Sequence, residues 1–268
     1  MTADLVTRLC LSRELEGHTG CVNCLAWHPA GRLLASGSDD RTVGVWEVGS
    51  SSGRRLVNLD TPHEGNIFSV VWGGEVGEQV ASAAGDGKIA LLDLATATTE
   101  RSVVAHSGRA KRLAVSPDCR GLVWSAGEDG LVRQWDRRER WTEDAANLLV
   151  DLGNLTGRPA AEAKCLAVCP SRSELLAVGA NDPYVRVFDR RKLSLVARGG
   201  EPWGGGGGRA GDTAAAYFVP GHLPQMEAGY SRRMRPLSST FIAYNQAGTE
   251  LVVNLGGEQV GPQLEIEV

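Results

Sequence analysis

The strongest constraint on the fold is a short unit of sequence that recurs along the chain. Residues 17–47 contain three apolar runs, at 22–27, 33–36 and 42–46, separated by the turn sequences HPAG and SDD. Short apolar runs bounded by Gly, Pro, Asn, Asp and Ser predict β-strands joined by tight turns. The unit is therefore predicted to contain at least three antiparallel strands.

The end of the third run recurs at a nearly constant interval. Similar endings occur at Glu47, Asp93, Asp136 and Asp189, which are separated by 46, 43 and 53 residues. Self-similarity at about 40–45 residues indicates a repeat architecture in which each unit is one small sheet. The longer third interval indicates an insertion between two units.

Polar residues also recur at fixed offsets within the units: a Ser lies four residues before an Asp, an aromatic residue six after it, and a His well before both. These residues are His18, Ser36, Asp40 and Trp46 in unit one, His63, Ser82 and Asp86 in unit two, and His106, Ser125, Asp129 and Trp135 in unit three. Unit two has Leu92 at the aromatic position. Unit four keeps Asp182 and Phe188 but has Val178 at the Ser position and no matching His.

This pattern resembles the WD40 repeat, and the resemblance implies that each His, Ser, Asp and Trp set forms one buried hydrogen-bonded tetrad. Such a network stabilises a sheet only when every member has its partner. The predicted fold class is all-β, a WD40 β-propeller that is incomplete in this chain, with four blades and part of a fifth.

The same pattern gives a set of predicted boundaries. They are a lead-in strand at 1–13, blades at 14–50, 51–98, 99–143 and 144–193, a Gly-rich loop at 194–212, a partial fifth blade at 213–260 that begins with a strand at 213–219, and a divergent tail at 261–268 that does not continue the pattern. Because propellers hold complete blades around a channel, we expect the chain to be a fragment or alternative product of a longer protein.

Composition and motifs argue against several function classes. The formal net charge of −4 is unlike that of a dedicated nucleic-acid or membrane-surface binder. The basic clusters at 109–112 and 133–140 are interspersed with or followed by acidic residues, so they are predicted to be solvated faces. No catalytic motif, metal-ligand set or cofactor site is predicted, and the six cysteines favour packing in a reducing compartment, which means cytoplasm and nucleus.

Several stretches resemble a narrower family. GCVNCLAW (20–27), GNIFSV (65–70), EDGLVRQWDRRE (128–139) and GTELVVNLGGEQV (248–260) are similar to the N-terminal propeller part of the WD and tetratricopeptide repeats protein 1 family. The resemblance covers about 14–260. It implies a substrate receptor of cullin-4 ubiquitin ligases that docks on DNA damage-binding protein 1 and recruits a protein substrate not identifiable from the sequence.

The docking motif of that family is Trp-Asp-x-Arg at the end of a third strand. The matching residues are Trp135, Asp136 and Arg138, and, with Phe for Trp, Phe188, Asp189 and Arg191. An Asp two residues before an Arg can orient the guanidinium at a strand end, and Arg is enriched at interface hot spots.

Two alternatives to a ligase substrate receptor stay open. An enzyme is a third, but no catalytic motif is found for it. The first is a WD-repeat scaffold without ligase docking that binds histones or a histone deacetylase, contacts that only the resemblance implies. The other is a non-functional or dominant-negative truncated product.

Overall fold

The computed structural model describes residues 10–48, 54–74, 77–119, 121–143, 148–153, 161–193, 214–219, 237–256 and 264–267. Within these residues it contains nineteen strands in five antiparallel sheets. Sheet 1 is β1 (Val22–Trp27), β2 (Leu33–Ser38), β3 (Thr42–Glu47) and β4 (Arg54–Asp60); sheet 2 is β5 (Ile67–Gly73), β6 (Gln79–Ala84), β7 (Lys88–Asp93) and β8 (Thr98–Val104). Sheet 3 is β9 (Ala110–Ala114), β10 (Leu122–Gly127), β11 (Leu131–Asp136) and β12 (Leu148–Asp151); sheet 4 is β13 (Ala163–Val168), β14 (Leu175–Ala180), β15 (Val185–Asp189) and β16 (Ala214–Phe218); sheet 5 is β17 (Ser238–Tyr244), β18 (Glu250–Gly256) and β19 (Leu264–Glu267).

In every sheet the strands pair in chain order, so each sheet is a simple antiparallel meander. The first strand of each sheet packs against the first strand of the next, from β1 through β5, β9 and β13 to β17. We call these the inner strands. The five sheets are therefore stacked side by side in chain order, as in the blades of a propeller, and the predicted all-β, WD40-type fold is confirmed.

The sequence units and the sheets are offset by one strand. Residues 213–219 were assigned to the fifth unit, but β16 pairs with β15 and completes sheet 4. In the same way β4, placed by sequence at the start of the second unit, pairs with β3 of sheet 1. The periodic polar residues mark only three strands, so the sequence pattern does not indicate which neighbour the fourth strand joins.

The prediction for the tail was wrong in one respect. Leu264–Glu267 forms β19 and pairs with β18, although the tail lacks the aromatic and Asp ending that marks the other units. Pairing at a free strand edge requires backbone N–H and C=O groups rather than particular side chains. Of the predicted lead-in strand, residues 10–13 are described and form no strand, and residues 1–9 lie outside the described part. The predicted loop at 194–212 also lies outside it.

Each inner strand carries a one-residue irregularity near its start. The pairing register skips one residue at Asn23, Phe68, Lys111, Lys164 and Thr240. An extra residue of this kind bends a strand locally and redirects side chains. We call this end of the sheets the bulge end, and the opposite end, where the third strands finish, the fork end.

The hydrophobic core lies between neighbouring sheets. Leu113 of β9 packs among buried residues of sheet 2, and Trp124 of β10 packs among residues of sheet 4. In sheet 1 the residue that matches Leu113 is Leu25, which is 62% exposed because no described sheet covers that face. Among the described residues, no helix is long and apolar enough to span a membrane.

Candidate functional site

The tetrad that sequence predicts for unit one is assembled in sheet 1. His18 Nδ1 lies 2.9 Å from Asp40 Oδ2, and His18 Nε2 lies 2.7 Å from Ser36 Oγ. The indole Nε1 of Trp46 donates to the same Ser36 Oγ at 2.8 Å. Burial alone would raise the pKa of Asp40, but hydrogen bonds from the Thr19 and Thr42 amides and from His18 hold that pKa well below its usual range. The network therefore ties the entry segment to the second and third strands.

Sheet 3 repeats this arrangement. His106 Nδ1 is 2.9 Å from Asp129 Oδ1, His106 Nε2 is 2.8 Å from Ser125 Oγ, and Trp135 Nε1 donates to Ser125 Oγ at 2.9 Å. Burial alone would raise the pKa of Asp129, but His106 and the hydrogen bonds from the Leu131 and Ser107 amides together lower it. Both complete tetrads thus hold an ionised aspartate against a buried imidazole.

Sheet 2 contains a looser version of the network. His63 Nε2 is 2.8 Å from Ser82 Oγ, but His63 Nδ1 is 3.5 Å from Asp86 Oδ1, and Leu92 supplies no indole donor. Among the described residues His63 Nδ1 has no hydrogen-bond partner. Burial of the ring lowers the pKa of His63, and the Asp86 carboxylate only partly opposes this.

We expect His63 to make stability depend on pH. The unfolded chain takes up the proton near the usual pKa of 6.5 and the folded chain at a lower pH. The contribution of His63 to the free energy of unfolding is therefore complete above pH 6.5. It decreases on acidification, by at most about 1.4 kcal/mol per pH unit for one group. Urea unfolding at pH 7.5 and 5.5 should show a smaller loss for His63→Gln than for the unsubstituted chain. An equal loss in both would contradict this assignment.

Sheet 4 has a different polar network in place of the tetrad. Arg186 Nη1 and Nη2 donate to Asp182 Oδ1 and Oδ2 at 3.1 and 2.7 Å, and both side chains are buried. At the matching position of sheet 1, a Cβ on Gly44 would lie 3.1 Å from His18 Nε2. An arginine fits at this position in sheet 4 because no histidine and no serine occupy the space.

At the fork end, two matched ion pairs stand on neighbouring sheets. Arg138 Nε and Nη2 donate to Asp136 Oδ1 and Oδ2 at 2.9 and 2.6 Å. Arg191 Nε and Nη2 donate to Asp189 Oδ1 and Oδ2 at 3.0 and 2.8 Å. In both pairs the Arg backbone N–H also donates to Oδ1 of the same Asp. We call these two bidentate pairs the forks.

The forks present their guanidinium groups to solvent. The side chain of Arg138 is 78% exposed and that of Arg191 is 69% exposed. The hydrogen bonds from Arg191 lower the pKa of Asp189 to about 2, and those from Arg138 also lower the pKa of Asp136. Both carboxylates therefore stay ionised at neutral pH and hold each guanidinium by one edge, which leaves its Nη1 side free of that Asp.

The sequence interpretation assigned all six motif residues to adaptor contact, and for three of them burial contradicts this, since Asp189 is also buried, at 6% exposed. Trp135 is 1% exposed and Phe188 is 0% exposed, so neither ring is accessible to a partner. Trp135 belongs to the tetrad of sheet 3, and Phe188 packs between sheets 3 and 4. Their role is to support the strand that carries each fork.

The residue between Asp and Arg in each motif contacts the preceding sheet, which the sequence interpretation missed. The Arg137 guanidinium donates to Gln79 Oε1 of sheet 2, and the Arg137 carbonyl accepts from Arg101 of the same sheet. The Arg190 guanidinium lies 4.5 Å from the ring centroid of Trp124 in sheet 3. Both arginines therefore fix the fork-bearing end of one sheet against its neighbour.

In the described residues, the third strands of sheets 1 and 2 end without a fork. In sheet 2 the equivalent aspartate, Asp93, accepts hydrogen bonds at 2.8 Å from the backbone N–H and the hydroxyl of Thr96. Its carboxylate closes a turn and orients no arginine. Within the described residues the bidentate forks are therefore confined to sheets 3 and 4.

The described residues contain no group of three or more His, Cys, Asp or Glu side chains that could hold a metal ion. Their six cysteines are free thiols, of which Cys24, Cys165 and Cys169 are buried. The candidate functional site is the fork end of sheets 3 and 4, where two exposed guanidinium groups are held in matched orientations.

The sequence of the chain is similar to a known family and to several known proteins. Residues 9–47 and 98–136 match the family described as "WD domain, G-beta repeat". The chain is 40% identical over 269 residues to WD and tetratricopeptide repeats protein 1 of Mus musculus, a match that covers 97% of the chain and 39% of that protein. It is 32% identical over 284 residues to Protein ALTERED SEED GERMINATION 2 of Arabidopsis thaliana, covering 96% of the chain and 36% of the relative.

A more distant relative is DDB1- and CUL4-associated factor 6 of Homo sapiens, with 28% identity over 264 residues. That match covers 96% of the chain and 28% of the relative. The chain spans about two fifths of the length of WD and tetratricopeptide repeats protein 1. The similarity therefore concerns the WD-repeat part of longer proteins.

Proposed function

Because the chain is a WD40-repeat protein that is similar over 97% of its length to WD and tetratricopeptide repeats protein 1, we propose that it is a recognition module whose forks dock on DNA damage-binding protein 1 of a cullin-4 ubiquitin ligase. In this proposal it brings a protein substrate to a ligase whose other subunits carry out ubiquitin transfer. The name of its relative, DDB1- and CUL4-associated factor 6, states such an association for that protein and supports the proposal.

The observation that carries the proposal is the repetition of one ion-pair geometry at matched positions of neighbouring sheets. Asp136 pairs across its sheet with Leu122, and Asp189 pairs with Leu175, so both forks begin at the same strand position. Two oriented guanidinium groups at one end can each bind a carboxylate or a set of carbonyl oxygens on a partner. Because each is already held by its aspartate, little side-chain freedom remains to be lost on binding.

The test is a binding titration of purified DNA damage-binding protein 1 against the chain and its variants. Arg138→Ala combined with Arg191→Ala should weaken binding by at least about thirtyfold, because each guanidinium is expected to anchor the interface. The matched control is Arg109→Ala with Lys164→Ala, which removes two cations from the bulge end and changes net charge equally. This control should bind like the unsubstituted chain.

Unfolding curves of both double variants establish that the folds are equal, since exposed ion pairs contribute little to stability. Undiminished binding by the fork variant would overturn the proposal. Equal weakening by both double variants would also overturn it, because it would show attraction to net charge rather than to the forks. The same titration with histone tails in place of the adaptor tests the alternative of a WD-repeat scaffold that binds histones.

A further inference from the structure

Arg112 has surroundings unlike those of the other cations at the bulge end. It lies on β9 directly after the extra residue Lys111, and it is half-buried although sequence predicted a solvated face. Its guanidinium lies 4.6 Å from the ring centroid of Phe241 on β17. The buried thiols of Cys24 on β1 and Cys165 on β13 lie near enough to influence its pKa. Residues from the inner strands of four sheets therefore lie near this one guanidinium.

Apart from the Phe241 ring, no group in the described residues compensates the charge of Arg112. No carboxylate forms an ion pair with it there, and no acceptor forms a hydrogen bond with it. Burial raises the pKa of the Cys24 and Cys165 thiols to about 12, so both are neutral at pH 7. A guanidinium stays protonated even where burial lowers its pKa, as it does here.

The neighbouring cations do have partners. Lys111 lies 3.9 Å from Glu128 and 4.0 Å from the ring centroid of Phe68. Lys164 lies 3.3 Å from Glu162, and Arg109 lies 3.8 Å from Glu128. Lys111, Lys164 and Arg109 thus have local counter-charges, whereas no carboxylate of the described residues pairs with Arg112.

We propose that Arg112 is the centre of a second binding site, which takes a carboxylate side chain of an acidic protein segment at the bulge end of the inner strands. A carboxylate can bridge two N–H groups of one guanidinium, and partial removal from water strengthens such a pair. Binding would provide the counter-ion that the protein does not supply. This site lies at the end of the sheets opposite to the forks and does not depend on adaptor docking.

The surroundings favour a protein carboxylate over a phosphate or a nucleic acid. Phosphate groups are bound by several unpaired cations or by rows of backbone N–H groups. Here the two lysines are already paired with glutamates, and the remaining guanidinium lies against an aromatic ring that is itself 42% exposed. One carboxylate on a chain with apolar neighbours matches one guanidinium beside an exposed phenyl ring.

The experiment measures fluorescence anisotropy of a labelled, end-capped peptide of alternating Glu and Phe residues on titration with the complete chain. The same peptide with Gln in place of Glu, and inorganic phosphate as competitor, serve as probes of ligand chemistry. We expect the Glu peptide to bind at least about tenfold more tightly than the Gln peptide, and Arg112→Gln to remove that difference. Arg109→Gln, a neighbouring exposed arginine, and the double fork variant should both keep it.

Two further measurements keep the test decisive if Arg112→Gln affects folding. Arg112→Lys retains the charge but not the bidentate geometry and should bind with intermediate affinity. In the unsubstituted chain, the Nε–Hε resonance of Arg112 should shift on addition of the Glu peptide. Equal binding of the two peptides, an unshifted resonance, or displacement by phosphate at peptide concentrations would each overturn the proposal.

Discussion

Replacing Asp182 with alanine is expected to lower the free energy of unfolding by about 3–5 kcal/mol, because it leaves the Arg186 charge buried without its carboxylate. Both side chains of this pair are less than a tenth exposed, and two hydrogen bonds join them. The Asp182 carbonyl also accepts from the Ser239 backbone N–H, but that bond survives the substitution. Urea unfolding of the complete chain measures the loss.

The double variant Asp182→Ala with Arg186→Met isolates the cause. Replacing a buried ion pair by apolar residues is often close to neutral, so the double variant should recover most of the stability that the single variant loses. Asp60→Ala, an exposed carboxylate at the end of β4, is the matched control and should change stability by less than about 0.5 kcal/mol. A double variant as unstable as the single one would show that the loss does not arise from an unpaired charge.

Replacing Trp135 with alanine should also lower the free energy of unfolding by about 3–5 kcal/mol, the range for loss of a buried aromatic side chain. The indole is fully buried, donates to Ser125 Oγ at 2.9 Å, and has its ring centroid 5.7 Å from that of Trp141. The cavity would lie directly beneath the strand end that carries Asp136. We therefore expect weaker adaptor binding in this variant as a consequence of lost order at the strand end.

Trp135→Phe distinguishes structural support of the strand end from direct contact between the indole and the adaptor. Phenylalanine occupies the equivalent position in sheet 4 as Phe188, and the substitution loses one hydrogen bond, a cost of about 0.5–1.5 kcal/mol. The variant should bind the adaptor as tightly as the unsubstituted chain wherever it is folded. Weaker binding by a fully folded Trp135→Phe variant would mean that the indole itself touches the partner.

The parts of the structure that sequence predicted well are those with a local and periodic signal. His18, Ser36, Asp40 and Trp46 recur at offsets set by strand and turn lengths, and the predicted network forms at hydrogen-bond distances. The forks were predictable for the same reason, since Asp and Arg two residues apart at a strand end need no distant contact. Such features depend on residues within a single unit.

The missed features are of two kinds, an exception to the repeat within one unit and contacts between units. Arg186 replaces a tetrad, and the available signal was an arginine four residues after Asp182 in a unit that has neither the His nor the Ser of the tetrad. Arg190 looks like any charged residue in sequence, yet it packs on Trp124 of the preceding sheet. The assignment of residues 213–219 to the wrong sheet has the same origin, because strand partners are fixed by tertiary packing.

Docking through the forks is tested by hydrogen–deuterium exchange of the 268-residue chain with and without purified DNA damage-binding protein 1. We expect slower exchange in the complex at 136–141 and 189–193, which carry the forks, and unchanged exchange at 108–112 and 128–130 at the bulge end. A complex that forms while 136–141 and 189–193 exchange as in the free chain would contradict docking through the forks.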